Sequence, residues 1–372
     1  MHPSSGLQGD GAQGVEQPSR PPRLVEVLLQ WWKTNRFALG LALLLLITVF
    51  MKYGLSLHPN WFRFVNAAAL WPDASDSLLA VGDRALLSNV APSWVAGAIR
   101  ATSDKSYIGW SAFLTSCALV LPILIAAGPR NRSFAQLYFL VIAGGAIAPV
   151  LLMWVGGYDA LLVCGLVIGT SARSRWVAAI GWFVAALTHS AVALPALLLW
   201  ATFLLLTANP RPWMRSVRSL WLPAGAVALG CLTIRQITDI WGGSTDRFTL
   251  FRAIPFDGIL QAYAASWFWI IFSGLGITWV LILWPSIRRL HSTRMFALLA
   301  AGTVLVAPLI AVDETRITAL LLVPVTLTWI DAVSGSLSPD EFRPIWRRML
   351  VPALLAPIPV VWIGVSYWPH GL

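Results

Sequence analysis

Charge is what this sequence has least of. Asp, Glu, Lys and Arg make up 11% of its 372 residues, whereas 58% are hydrophobic. Soluble globular chains carry about 25% charged residues, so an ordinary water-soluble fold is excluded and a polytopic membrane protein is indicated. Cysteine is scarce too. Cys117, Cys164 and Cys231 each lie inside an apolar run, and none stands at metal-ligand spacing. No disulfide framework and no thiolate zinc site is therefore implied. No internal repeat is visible, as many transporters would show. The net charge of +10 does not call for nucleic acid, because basic residues in such a chain report topology.

What the sequence does have is a series of apolar runs stopped by charged or Gly/Pro-rich breaks, with tryptophan at many of the run ends. Residues 1–36 read as a cytoplasmic tail, disordered through its Gly, Ser, Gln and Pro, followed from residue 24 by an amphipathic lead-in. The tail is too polar and too long for a cleavable signal peptide. Residues 37–372 read as a single transmembrane domain, an all-α helix bundle of about eleven spans. The spans are expected at about 37–57, 107–127, 134–154, 160–170, 220–240, 259–284, 295–312, 317–330 and 349–368. Two more, short or broken, fill 176–206 and meet at His189. Residues 58–106 form a first outer loop with interfacial helices, one at 61–65 and another at 77–87. When alternate loops are sorted, most of the 26 Lys and Arg fall on the N-terminal side, and the acids divide the other way. The positive-inside rule then gives N-in and C-out in a cytoplasmic (inner) membrane.

On that topology the unusual polar residues collect at outer helix ends: Asp73, Asp76 and Asp83 in the first outer loop, then Tyr158-Asp159, His189, Arg235, Asp239 and Arg247. The last group is Asp313-Glu314-Thr315-Arg316, the hinge of a hairpin between two apolar runs. Charges there would be expensive at mid-bilayer and are tolerable at a water interface. Each has a plain structural reading beside the functional one. Asp73 and Asp76 suit a solvated helix start, and Asp159 suits a helix N-terminus. Arg235 and Asp239 stand one helical turn apart and can neutralise each other. Asp313 and Arg316 can close a turn. Arg316 nevertheless begins a helix, where a cation opposes the dipole, and an anionic partner, a neighbouring acid or a phosphate, would offset that. His189 in so apolar a stretch is the residue least explained by packing.

The pattern resembles the GT-C class of membrane glycosyltransferases and, more loosely, exopolysaccharide polymerases: an N-in first span, a long acidic outer loop with interfacial helices, then many spans with polar outer ends. The resemblance implies an enzyme using a polyprenyl-phosphate-linked sugar at the outer face of the membrane. Asp73, Asp76 or Asp83 would be the base toward an acceptor, with Asp159 and His189 as further catalytic residues. Arg235, Asp239, Arg247, Asp313, Glu314 and Arg316 would bind substrate, the arginines holding phosphate. One departure is that these loop acids lie further from the first span than the family's usual acid. Such chemistry needs a base and stabilisation of the departing phosphate. A divalent metal could share the second task, but the sequence requires none and points to no metal ligands. The alternatives are a transporter or flippase for a lipid-linked or anionic substrate, and a non-catalytic membrane subunit. The partners implied are the lipid bilayer and a lipid-linked sugar, with no nucleic acid.

Overall fold

The structure, a computed structural model, describes residues 24–58, 61–70, 91–126, 132–208, 213–240, 256–310, 314–362 and 365–367. Helix α1 (Leu24–Tyr53) fuses the lead-in and the first span into one run of 30 residues, helped by a sequence with no proline and a single glycine. Two short helices, α2 (Trp61–Ala69) and α3 (Ala91–Ala98), precede α4 (Asp104–Ala126). Next come α5 (Arg132–Ala143) and α6 (Ile147–Met153), bent by 56° at the break between them. They are followed by α7 (Asp159–Ser171), α8 (Arg175–Thr207) and α9 (Trp213–Ile240). The remainder comprises α10 (Phe256–Leu275), α11 (Thr278–Leu283), α12 (Pro285–Arg288), α13 (His291–Ile310), α14 (Glu314–Ser336) and α15 (Pro339–Leu355). A two-stranded antiparallel ribbon, β1 (Val360–Trp362) and β2 (Val365–Tyr367), ends the described chain.

Among the described residues five helices are long and apolar enough to cross a membrane, six if the bent pair is one span, with three shorter apolar helices beside them. The chain is therefore a multi-pass α-helical membrane protein. As expected, the stretch 176–206 holds two helical segments that meet at a kink at His189, together α8. Two expectations need correction. The expected last span 349–368 does not form. Helix α15 stops at Leu355 because prolines follow at 357 and 359, and the residue before each proline is driven to extended geometry, as at Ala356 with ψ 114°. The expected turn at residues 313–316 is already helix from Glu314 onward. The surface helix expected at 61–65 is present as α2, while 77–87 lies outside the described residues.

Helix α14 is the centre of the bundle. Its span window is 72% buried, against 22–33% for the other four long spans. Lipid is as apolar as leucine, so helices in a membrane are held by close packing rather than by exclusion of water. Here Trp329 of α14 stacks on Phe296 of α13 with ring centroids 4.4 Å apart, and its indole N–H donates to Thr293 at 3.1 Å.

Two helix breaks meet backbone to backbone beside α14. The break between α10 and α11 turns on Gly276, whose φ of +56° is left-handed. A Cβ there would collide with the carbonyl oxygen of Gly144, in the α5–α6 break, so only glycine fits. The Ile277 N–H donates to that same Gly144 oxygen at 2.7 Å. Nearby, the Lys52 ammonium near the end of α1 donates to the carbonyls of Ala143 and Ala353 at 2.7 and 3.1 Å. It thus sits where α5 and α15 present their negative C-terminal ends.

Candidate functional site: a buried ion pair at one end of the bundle

Beyond Tyr53 the chain leaves α1 extended and runs parallel to the end of α6. The His58 N–H donates to Val155 O at 2.8 Å, and the Val155 N–H to Ser56 O at 3.0 Å. This short bridge brings His58 beside the turn Trp154-Val155-Gly156-Gly157 that leads into α7. Gly156 has φ +90°, a conformation that side chains avoid, and its carbonyl accepts from the Tyr107 hydroxyl at 3.1 Å. The turn delivers Tyr158 and Asp159 to the first residues of α7, where a carboxylate is favoured by the helix dipole.

Arg316 reaches Asp159 from the first turn of α14. Its Nε and Nη2 donate to Asp159 Oδ2 and Oδ1 at 2.6 and 2.7 Å, a bidentate fork between groups 157 residues apart. Both residues are buried, Arg316 at 7% and Asp159 at 1% exposure. The guanidinium carbon also lies 4.7 Å from the Tyr158 ring centroid and 5.3 Å from that of Trp154. Fixed dipoles, one carboxylate and two ring faces thus replace the water this cation has lost. The anionic partner needed to offset the dipole of α14 is supplied by Asp159, a residue remote in sequence.

Two histidines flank the same tyrosine. The His189 ring stands 5.0 Å from that of Tyr158, edge-on, and His58 lies 6.1 Å from it. His189 is where α8 loses helical geometry, with φ −158° and ψ 82°. Pro195 has no N–H to give the carbonyl of Ala191, so the turn beyond the break is already one bond short. Burial, and after it the charge of Arg316, push the His58 imidazole down to about 4, while Asp159 pulls it the other way. His58 is therefore neutral at physiological pH.

Helices α2 and α3, between α1 and α4, are tied to this place. Phe64, Val65 and Ala68 of α2, Ala96 of α3 and Tyr107 of α4 form one apolar cluster with Tyr158. On the far side, Thr315 accepts from the Val361 N–H at 2.9 Å and pairs with Ser273 at 2.7 Å, fixing the turn that carries Arg316 to the C-terminal ribbon.

Of the sequence-derived site residues, the structure brings Asp159, His189 and Arg316 together around Tyr158. Arg235 and Asp239 lie elsewhere, paired with each other at 3.8 Å on the exposed side of α9. Glu314 opens α14. Asp73, Asp76, Asp83, Arg247 and Asp313 lie outside the described residues. No group of three or more metal-binding side chains occurs among the described residues. Three members of the cluster are not among the sequence candidates for catalysis or binding: His58, Tyr158 and Trp154. His58 carries a usable signal, since a histidine at the end of a span is unusual. Trp154 reads from sequence only as a belt residue.

Fold and cluster together define a multi-pass membrane protein with a desolvated ionic and aromatic site at one end of its bundle. No family model and no curated protein matches the chain. Among solved structures it is similar to ArnT from Cupriavidus metallidurans bound to undecaprenyl phosphate, at 13% identity and a TM-score of 0.48, over 86% of this chain and 62% of that one. The chain thus spans less than two thirds of that protein's length.

Proposed function

We propose that the chain is a membrane glycosyltransferase or polysaccharide-assembly enzyme acting at the outer face of the cytoplasmic membrane on a polyprenyl-phosphate-linked sugar. The observation that carries this reading is the convergence of Asp159, Arg316, His58 and His189 on Tyr158, from segments far apart in sequence, beneath the helices that flank the acidic outer loop. Buried charges in a membrane protein are expensive unless paired or used, and a site at one end of the bundle suits a substrate that arrives laterally in the lipid.

Within this reading the residues divide by task. Asp73, Asp76 or Asp83, on the segment joining α2 to α3, takes the proton of the acceptor hydroxyl. Both oxygens of Asp159 are held by Arg316, so that pair positions Tyr158 and the α7 turn rather than moving protons. The Arg316 fork faces a carboxylate, which shifts the phosphate to the other arginines the sequence offers, exposed Arg235 near the end of α9 and Arg247 further along the chain. Asp239 orients Arg235 from one helical turn away. His189, at the break in α8, faces the substrate from the bundle interior.

The test is transfer of radiolabelled sugar from a polyprenyl phosphate donor by the purified protein in liposomes. Each of Asp73→Asn, Asp76→Asn and Asp83→Asn is assayed with thermal stability measured in parallel. One of the three should lose transfer by at least about 100-fold, the scale of a general base, with stability unchanged. If all three retain full transfer, the base is not in this loop. If no polyprenyl-phosphate sugar is turned over at all, the enzymatic reading fails.

A further inference from the structure

The two helix breaks and α14 line a small, partly open pocket that the cluster does not use. Val141, Gly145, Gly274, Leu275, Thr278 and Thr326 are among its lining residues, and the space open to the centre of a water molecule is about 20 Å³. Thr278 and Thr326 are buried, at 1% and 4% exposure. Many threonines in these helices return their hydroxyl to the carbonyl four residues back, as Thr170, Thr188, Thr238, Thr303 and Thr328 do, while the buried Thr115 and Thr318 do not. The hydroxyls of Thr278 and Thr326 make no such bond, nor one to any other described residue, and both residues line the cavity. The last carbonyls of α5 and α10 also lose their helical donors at these breaks.

We propose that this cavity is a binding site for one structural water molecule that joins the two broken helices to α14. Irregular backbone at membrane depth persists only where it is buried in protein or lines a wet cavity. A water needs about 10–15 Å³ of such space and two to four polar partners, and two hydroxyls with nearby helix-end carbonyls meet both conditions. The same oxygens could be read as a site for a small monovalent cation. Two features argue against that. No acid is among the cavity's described lining residues, and the C-terminal end of α5 is already capped by the Lys52 ammonium on Ala143 O. A second cation so close would be repelled strongly in a low dielectric.

Threonine-to-valine changes test this, because valine nearly preserves shape and removes only the hydroxyl. Thermal unfolding of the full chain in detergent is compared for wild type, Thr278→Val, Thr326→Val and the double variant, in sodium chloride and in choline chloride. With a bridging water, each single variant melts several degrees lower, and the double variant loses clearly less than the two single losses combined, because the first change already releases the water. Thr326→Ser, which keeps the hydroxyl, stays closer to wild type than Thr326→Val. If either valine variant melts higher than wild type, the cavity is dry and the proposal is wrong. Independent, additive losses also overturn it. So does a wild-type melting point that rises in sodium and loses that rise in the valine variants, which would assign the site to a cation.

Discussion

The protein contains two Arg–Asp pairs of opposite character. Arg235 and Asp239 lie four residues apart on one helix, 3.8 Å from each other, with side chains 72% and 65% exposed. Arg316 and Asp159 come from different helices, meet in a two-bond fork at 2.6 and 2.7 Å, and are almost wholly buried. The chemistry is the same and the energetics are not. An exposed pair gains little because water and salt screen it. A buried pair gains little over an apolar substitute either, but breaking it strands a charge where nothing solvates it. The buried pair is therefore a constraint on the fold around Tyr158, and the exposed one is a pair of charges still able to engage a ligand.

Cutting the buried pair gives the largest expected effect. Asp159→Ala and Arg316→Ala should each destabilise the detergent-solubilised protein by roughly 3–5 kcal/mol. The double variant should be less damaged than the two losses combined. Arg316→Lys keeps the charge but loses the planar fork and most of the stacking on Tyr158 and Trp154, so a loss of about 2 kcal/mol is expected. Thermal or chemical unfolding of the four variants closes the cycle. A fully stable Arg316→Lys would show that the fork is not what holds α7 to α14.

His58 extends the comparison to pH. Its folded-state value of about 4 lies below the 6.5 of a free histidine. Between those values the unfolded chain binds more protons than the folded one, so stability falls as pH drops from about 6.5 to 4. His58→Gln should remove that part of the pH dependence and leave the remainder. Equal pH slopes for the variant and the wild type over this window would mean that the His58 imidazole is not buried in the folded protein as described.

The smallest effect belongs to the exposed pair. Arg235→Ala and Asp239→Ala should each change stability by no more than about 0.5 kcal/mol. In the proposed reading Arg235→Ala weakens donor binding nonetheless, measured as a raised KM. A large stability loss at Arg235 would mean that the two pairs are not different in kind.

Much of this molecule is legible in its sequence. The membrane class follows from the shortage of charge. The break at His189 follows from a histidine, and a proline six residues on, inside a run too long for one span. Asp159, His189 and Arg316 each stand out as polar groups in the wrong surroundings. Helix ends are less legible. The expected span at 349–368 fails on proline spacing, which hydropathy does not weigh.

The sequence by itself thus determined what depends on composition and near neighbours: a membrane solvent, the positions of most apolar helices, the i,i+4 pair on α9 and the oddness of a few polar residues. The tertiary structure decided which of those oddities answer one another. Asp159 can meet Arg316 because α7 and α14 both begin at the same end of the bundle. A buried guanidinium there needs a partner in the plane of its fork and rings against its faces. That requirement is geometric and long-range, and no local pattern encodes it.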